Sequence, residues 1–435
     1  MTSVLIAGAS TNSGKTIITA SILRALKNRG LNVRGGKIGP DYIDPKFHAI
    51  ASDSFSLNVD AWAMNENTLH RNLATMEQDS DITIIEGVMG LFDGASDGSA
   101  SSAEVAKKMG LPIIICLDVW GQSQSISAIV NGFDTLDKDI KISGIILTRI
   151  GTEKHLKILK QSLQKYIPHI PLIGTIFRNE IFELESRHLG LVHPSSENDK
   201  TLNKLLDKTA NIISQQVDLD KLISISKKSK AITNDKIAIP KFSNHIAVSY
   251  DKAFSFCYPH IINSWKKEGA EISFFSPLND EAPDENASSI YLCGGYPELY
   301  CETLAKNKIF KLGMLKHAEK GTFIFGECGG FMTLGKSITD KNNVEHKMLG
   351  LLDLKTSFAK KKLHLSYQNI KLLKECNLGT KNSLFKGHEF HYATITHQSG
   401  EPLFEVNNAC NSKNEIVGLV NNNVIGSFIH LIDKI

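Results

Sequence analysis

Gly8-Ala9-Ser10-Thr11-Asn12-Ser13-Gly14-Lys15-Thr16 stands between an apolar run at residues 4–7 and a helical stretch at residues 17–23, and it leaves this chain few folds to choose from. Strand, glycine-bearing loop and helix in that order are the setting of a phosphate-binding loop. Backbone N–H groups at the start of the helix face an anion, and the helix dipole favours negative charge there. On this reading Gly8, Thr11, Gly14, Lys15 and Thr16 bind ATP. Lys15 reaches the terminal phosphates and the Thr16 hydroxyl holds Mg²⁺. Gly8 to Gly14 is one residue longer than the common G-x-x-x-x-G-K-[ST] interval, but Gly-Lys-Thr directly after a strand outweighs the departure.

Around that loop, residues 4–7, 82–85, 113–117 and 142–147 are β-branched runs apolar on both faces, with helical patterns between them; residues 172–176 add a candidate. This alternation predicts an α/β fold with a P-loop, doubly wound parallel sheet and ligands at the carboxyl ends of its strands. A chain of 435 residues has room for two or three domains. The polar, basic stretch at 223–243 reads as a linker, which gives a first domain over 1–222 and a second α/β domain over 244–435. Strands are expected in the second at 246–250, 271–275, 289–292 and 322–325.

A net charge of +3 gives no case for nucleic acid or an anionic membrane as partner. No apolar run has the length of a membrane span, and the first residues enter a strand rather than a basic leader, so the cytoplasm is the expected location. The seven cysteines are scattered without a C-x-x-C pair, which argues against a zinc ribbon or disulfide framework.

Three segments bring polar groups to the nucleotide. Asp41, Tyr42 and Asp44 lie in the turn Gly39-Pro40-Asp41-Tyr42-Ile43-Asp44-Pro45, where an Asp serves either the site or the turn itself. Glu86 directly follows a buried strand, where P-loop enzymes keep a metal-coordinating acid. Thr16, Asp41 and Glu86 make a sufficient oxygen set for Mg²⁺. Asp93 lies on the glycine-rich loop that follows, and Thr148-Arg149 ends another strand, either against adenine or as a solvated charge.

In the second half, Gly326-Glu327-Cys328-Gly329-Gly330 follows an apolar strand and precedes a helix, the setting of a nucleophile elbow. The helix start favours the Cys328 thiolate. His430 ends the last apolar run and is the candidate base. Backbone N–H groups of Gly295 and Gly329 would form an oxyanion hole. His388-Glu389-Phe390-His391 does not fit the helical zinc-protease pattern, which needs histidines at i and i+4.

Taken together, these motifs resemble the cobyrinate/hydrogenobyrinate a,c-diamide synthase family. Its synthetase half resembles the P-loop stretch, Lys37–Pro45, Glu86–Gly94 and Ser186–Leu191; its class I glutamine amidotransferase half resembles Asp251–Phe256, Phe274–Leu278, Gly294–Glu298, Glu327–Gly330 and Gly387–Tyr392. The C-terminal Ser427–Asp433 is more similar to the aerobic, hydrogenobyrinate branch than to the anaerobic, cobyrinate branch. The resemblance implies ATP, Mg²⁺, glutamine and a corrinoid, and a ligase in which Cys328 and His430 release ammonia from glutamine. It also implies that Tyr42, Asp44 and Asp93 bind substrate; a homodimer is left open. A cobyrinate a,c-diamide synthase of the anaerobic pathway or a nickel-sirohydrochlorin amidating relative, and, in a different class, a partitioning-type switch ATPase, are the alternatives. Ile432 stands where many such glutaminases carry a carboxylate two residues after the histidine, so Asp433 or Glu298 is expected to orient His430.

Overall fold

In the computed structural model the run Thr2–Gly8 (β1) is the central strand of a seven-stranded sheet. Val4, Leu5 and Ile6 are fully buried because helices cover both of its faces. The other strands are Val33–Ile38 (β2), Ser56–Val59 (β3), Ile82–Glu86 (β4), Ile113–Asp118 (β5), Ile142–Ile150 (β6) and Leu172–Phe177 (β7), in the order β3-β2-β4-β1-β5-β6-β7. All neighbours pair in parallel. The structure describes residues 1–11, 13–95, 98–182, 196–235, 237–360, 362–408 and 413–435. The expected family stretch at 186–191, and Cys410, lie outside these residues.

Two compact units divide the chain: residues 1–62 with 66–236, and residues 63–65 with 237–435. The segment read as a linker is thus shared between them. The helix Leu219–Ile225 buries Leu219, Leu222 and Ile225, and Lys227 exchanges backbone hydrogen bonds with Ser3 (2.7 and 3.1 Å). That apolar face and that bridge tie the first part of 223–243 to the first unit. Farther on, Phe242 packs on Trp265 within the second unit, with ring centroids 4.6 Å apart.

In the second unit His245–Ser249 (β8), Glu271–Phe275 (β9), Ser289–Leu292 (β10) and Phe323–Glu327 (β11) lie where the sequence places them. They join Val424–Ser427 and Leu419–Asn421 in a six-stranded sheet that is parallel except at Leu419–Asn421. Two further sheets were not expected from sequence. One is a five-stranded antiparallel sheet ordered Glu415–Val417, Phe404–Asn408, His364–Leu372, Leu384–His391, Ile429–Lys434. The chain leaves the parallel sheet at Ser427 and enters the antiparallel one at Ile429, which sets His430 at the step between them.

Candidate functional sites

Strand order builds the first site. β2, β4 and β1 are neighbours, and the register pairs Lys37 and Ile6 with Glu86, so Lys37, Glu86 and the loop after β1 meet at the carboxyl ends. Gly14 (φ 79°) caps the helix Lys15–Asn28, which places Lys15 and Thr16 in its first turn. Thr16 Oγ1 donates to Glu86 Oε1 (2.7 Å) and Asp44 Oδ2 (3.3 Å). Lys37 Nζ lies 2.8 Å from Glu86 Oε1 and 2.5 Å from Asp44 Oδ2, and His48 Nε2 lies 2.7 Å from Glu86 Oε2. Lys15 Nζ donates to the carbonyls of Ser10 (2.9 Å) and Met89 (2.7 Å).

Burial opposes the Glu86 charge, but the Lys37 ammonium and the His48 hydrogen bond outweigh it and hold this carboxyl well below the usual range. Burial also works against the Lys37 charge, and Glu86 and Asp44 nonetheless hold its ammonium well above the ordinary value. Asp44 is pushed up to about 6 by burial and by its repulsion from Glu86, with Lys37 opposing. The cluster is therefore a buried, charged network ready to exchange partners with a cation or a phosphate.

A cavity of about 790 Å³ opens over it, lined among others by Thr11, Gly14, Lys15, Thr16, Asp41 and Glu86. Gly8 closes β1 beneath the loop and is buried. Asp41 takes the turn role: its Oδ1 accepts the N–H groups of Ile43 (2.7 Å) and Asp44 (2.9 Å). Asp44, not Asp41, stands beside Thr16, because the helix begun at Asp44 carries that carboxylate back toward β2. Tyr42 is buried, and Asp93 Oδ2 accepts the Gly90 N–H (2.8 Å); neither lines the cavity. Thr148 and Arg149 do line it, and Arg149 pairs with Asp118 at 2.6 Å.

The second site follows β11. Cys328 adopts φ 47°, ψ −101°, a conformation costly for a non-glycine residue and held here by the sheet-to-helix turn. Its N–H donates to the Ser427 carbonyl at 2.8 Å. Backbone N–H groups of Gly329 and Gly295, the two expected oxyanion donors, face its sulfur and favour the thiolate. The thiol is nonetheless pushed well up, first by burial and then by the charge of Glu298. Burial thus works against the thiolate that the helix start was expected to favour. The same glycine turn touches His430, since a Cβ at Gly294 would stand 2.3 Å from its Cε1. Burial, then His388 and His391, lower the His430 imidazole well below its ordinary value, so it rests neutral. Cys328 Sγ lies 3.7 Å from the Phe390 carbonyl oxygen.

An acid that the sequence reading did not name, Glu327, stands beside the His430 ring. Asp433 accepts backbone N–H groups of Asn65 (2.8 Å) and Lys434 (3.0 Å), and Glu298 acts on the thiol. Glu327 Oε2 lies 3.8 Å from His430 Nδ1 and accepts the Tyr291 hydroxyl (2.6 Å), while its Oε1 accepts the Leu431 N–H (3.0 Å). On the other side His388 stacks on His430 at 4.8 Å and 10°.

Residues 4–192 match the CobQ/CobB/MinD/ParA nucleotide binding domain family, and residues 245–434 match the CobB/CobQ-like glutamine amidotransferase domain family. The whole chain is 42% identical to the hydrogenobyrinate a,c-diamide synthase of Brucella anthropi over 439 residues, covering 100% of this chain and 99% of that protein. The chain belongs to the hydrogenobyrinate a,c-diamide synthase family. Members from Mesorhizobium japonicum (41% identical, covering 99% of this chain and 98% of that one) and Rhizobium meliloti (39%, 100% and 99%) match as fully. As a member of that family it is a glutamine-dependent, amide-forming ligase with a nucleotide-binding half.

For this a,c-diamide synthase family member, the sequence held a signal for Glu327 that went unread. A carboxylate ending a buried strand is what singled out Glu86, and Glu327 ends β11 in the same way. Burial raises Glu327 from its ordinary 4.5 to about 8, against the pull of the Tyr291 hydroxyl and the Leu431 N–H. The folded chain keeps a proton that the unfolded chain gives up in this window. The contribution of Glu327 to stability therefore falls as pH rises from 4.5 to about 8, then levels off. Glu327→Gln, neutral throughout, should flatten that fall: its melting temperature relative to wild type is expected to rise between about pH 5 and about pH 8.5. Parallel pH profiles for the two proteins would rule out a neutral buried carboxyl at this position.

Proposed function

We propose that this chain amidates the a and c acetate carboxylates of hydrogenobyrinate, using ATP and glutamine, in cobalamin biosynthesis. The observation that carries the reading is identity of about two residues in five along the entire length of proteins bearing that name. Both halves supply the chemistry it requires.

In the second unit, neutral His430 takes the proton of Cys328 as the sulfur attacks the glutamine side-chain amide. The N–H groups of Gly295 and Gly329, already turned to the sulfur, hold the oxyanion that develops beside it. His430 returns the proton to the leaving nitrogen, ammonia departs, and water hydrolyses the glutamyl thioester. Glu327 keeps the imidazole in place.

In the first unit, the loop N–H groups and Lys15 hold the ATP phosphates while a substrate carboxylate oxygen attacks the terminal phosphorus, its bond to the bridging oxygen breaks and ADP leaves. The acyl phosphate that forms is attacked by ammonia, and phosphate leaves. The oxygen donors Thr16 Oγ1, Asp44 Oδ2 and Glu86 Oε1 converge and suit a hard ion, so these residues, with Asp44 in place of Asp41, would hold Mg²⁺. Bound there, Mg²⁺ would neutralise phosphate charge. ATP and glutamine as co-substrates fit a cytoplasmic location.

Metal-free hydrogenobyrinate and cobalt-bearing cobyrinate, supplied side by side with ATP and glutamine, test the substrate. Two amides are expected on the metal-free corrinoid. Amidation of the cobalt-bearing corrinoid alone would assign the chain to the other branch.

A further inference from the structure

The antiparallel pair His364–Leu372 and Leu384–His391 sets three metal-ligating side chains on one face of its sheet. Glu389 and His391 are two residues apart on one strand, so they share a face. His364 pairs directly with His391 across the ladder. The donor atoms of all three lie within 4.8 Å of one another. The helical spacing used to judge His388–His391 from sequence is the wrong template here, because strand geometry, not helix geometry, gathers the ligands.

Two of the three donors are already held by neighbours. His391 Nδ1 donates to the Ala393 carbonyl at 3.0 Å, and its Nε2 hydrogen-bonds Glu389 Oε1 at 2.8 Å, a contact that a metal ion would replace. The His391 ring is clamped between Phe428 (centroids 3.8 Å) and His364 (4.6 Å). Gln368 Nε2 reaches the other Glu389 oxygen at 3.5 Å. A carbonyl behind a histidine and a donor behind a carboxylate are the supports that orient metal ligands.

We propose that His364, Glu389 and His391 bind one divalent ion of the zinc class, with water completing the coordination. Two imidazole nitrogens and one carboxylate suit Zn²⁺ or Co²⁺, whereas Mg²⁺ and Ca²⁺ favour all-oxygen sets. Tetrahedral metal–ligand bonds of about 2.0–2.2 Å place donors roughly 3.3–3.6 Å apart, so the Glu389–His391 pair has to part slightly while half-buried His364 turns out of its stack on His391 to bring a nitrogen to the ion. Phe390 lies between two of the ligands, and its carbonyl faces the Cys328 sulfur. An ion at this site therefore fixes the strand that lines the thiol.

Co²⁺ titration of the full chain in excess Mg²⁺, followed by visible absorption, tests the site without any turnover. One Co²⁺ per chain is expected, with the visible bands of low-coordinate cobalt, no near-ultraviolet thiolate charge-transfer band, and displacement by one equivalent of Zn²⁺. His364→Gln and Glu389→Gln should each weaken Co²⁺ binding by at least about tenfold with unchanged far-ultraviolet circular dichroism. Absence of a stoichiometric visible band in the wild-type protein, a thiolate band, or undiminished affinity in both variants would each overturn the proposal.

Discussion

Lys15→Ala is expected to lower amide synthesis by on the order of 10³-fold, and to do so equally with glutamine and with ammonia as nitrogen source. The ammonium is the one cation of the loop itself, and it reaches the cavity from the first turn of the helix Lys15–Asn28. Burial lowers its pKa while Glu86 pulls the other way, so its charge is maintained by the acid at the end of β4. Phosphoryl transfer involves little covalent work by the protein and depends on charge and position, so removing this charge removes most of the rate. On the proposed mechanism glutamine hydrolysis uses Cys328 and His430, which the substitution leaves intact, so glutamate release should continue. Ammonia-driven synthesis at the wild-type rate would refute the placement of ATP.

The sheet of the first unit was legible where strands are apolar on both faces, as at β1, β4, β5 and β6. β2 and β3 were not, because Val33–Ile38 reads V-R-G-G-K-I and has no apolar run. Its glycines answer to packing. A Cβ at Gly35 would stand 2.5 Å from the His48 Cβ, and one at Gly36 would stand 2.6 Å from Ile85 Cδ1, so close-packed layers hid a strand from a propensity reading. Lys37 went unassigned for the same reason, although it ties Glu86 to Asp44. The antiparallel sheet around His364–Leu372 was invisible because its strands are largely polar and alternate only weakly. Local motifs behaved differently. Gly-Lys-Thr and Glu-Cys-Gly-Gly each encode a turn and a reactive group within a few residues, so Lys15, Thr16, Cys328 and Gly329 could be named as candidates before any tertiary contact was known. Groups defined by cross-strand distance, Glu327 beside His430 and Glu389 beside His364, required the fold.

Cys328→Ser removes the other half of the chemistry. A serine hydroxyl is a far weaker nucleophile toward an amide, and neutral His430 does not make good the difference. Glutamine-driven amidation should fall by at least about 10⁴-fold. The substitution replaces one sulfur by oxygen at a buried elbow, so the N–H groups of Gly295 and Gly329 keep an acceptor and the fold should survive. Added ammonia bypasses the step, and the first unit retains Lys15, Thr16 and Glu86.

The most direct measurement is corrinoid amidation by the Cys328→Ser protein with saturating ATP, given glutamine in one reaction and an ammonium salt in another. Product from ammonium at close to the wild-type rate, with none from glutamine, is the predicted result. Sustained product from glutamine would contradict a thiol-dependent release of ammonia at residue 328.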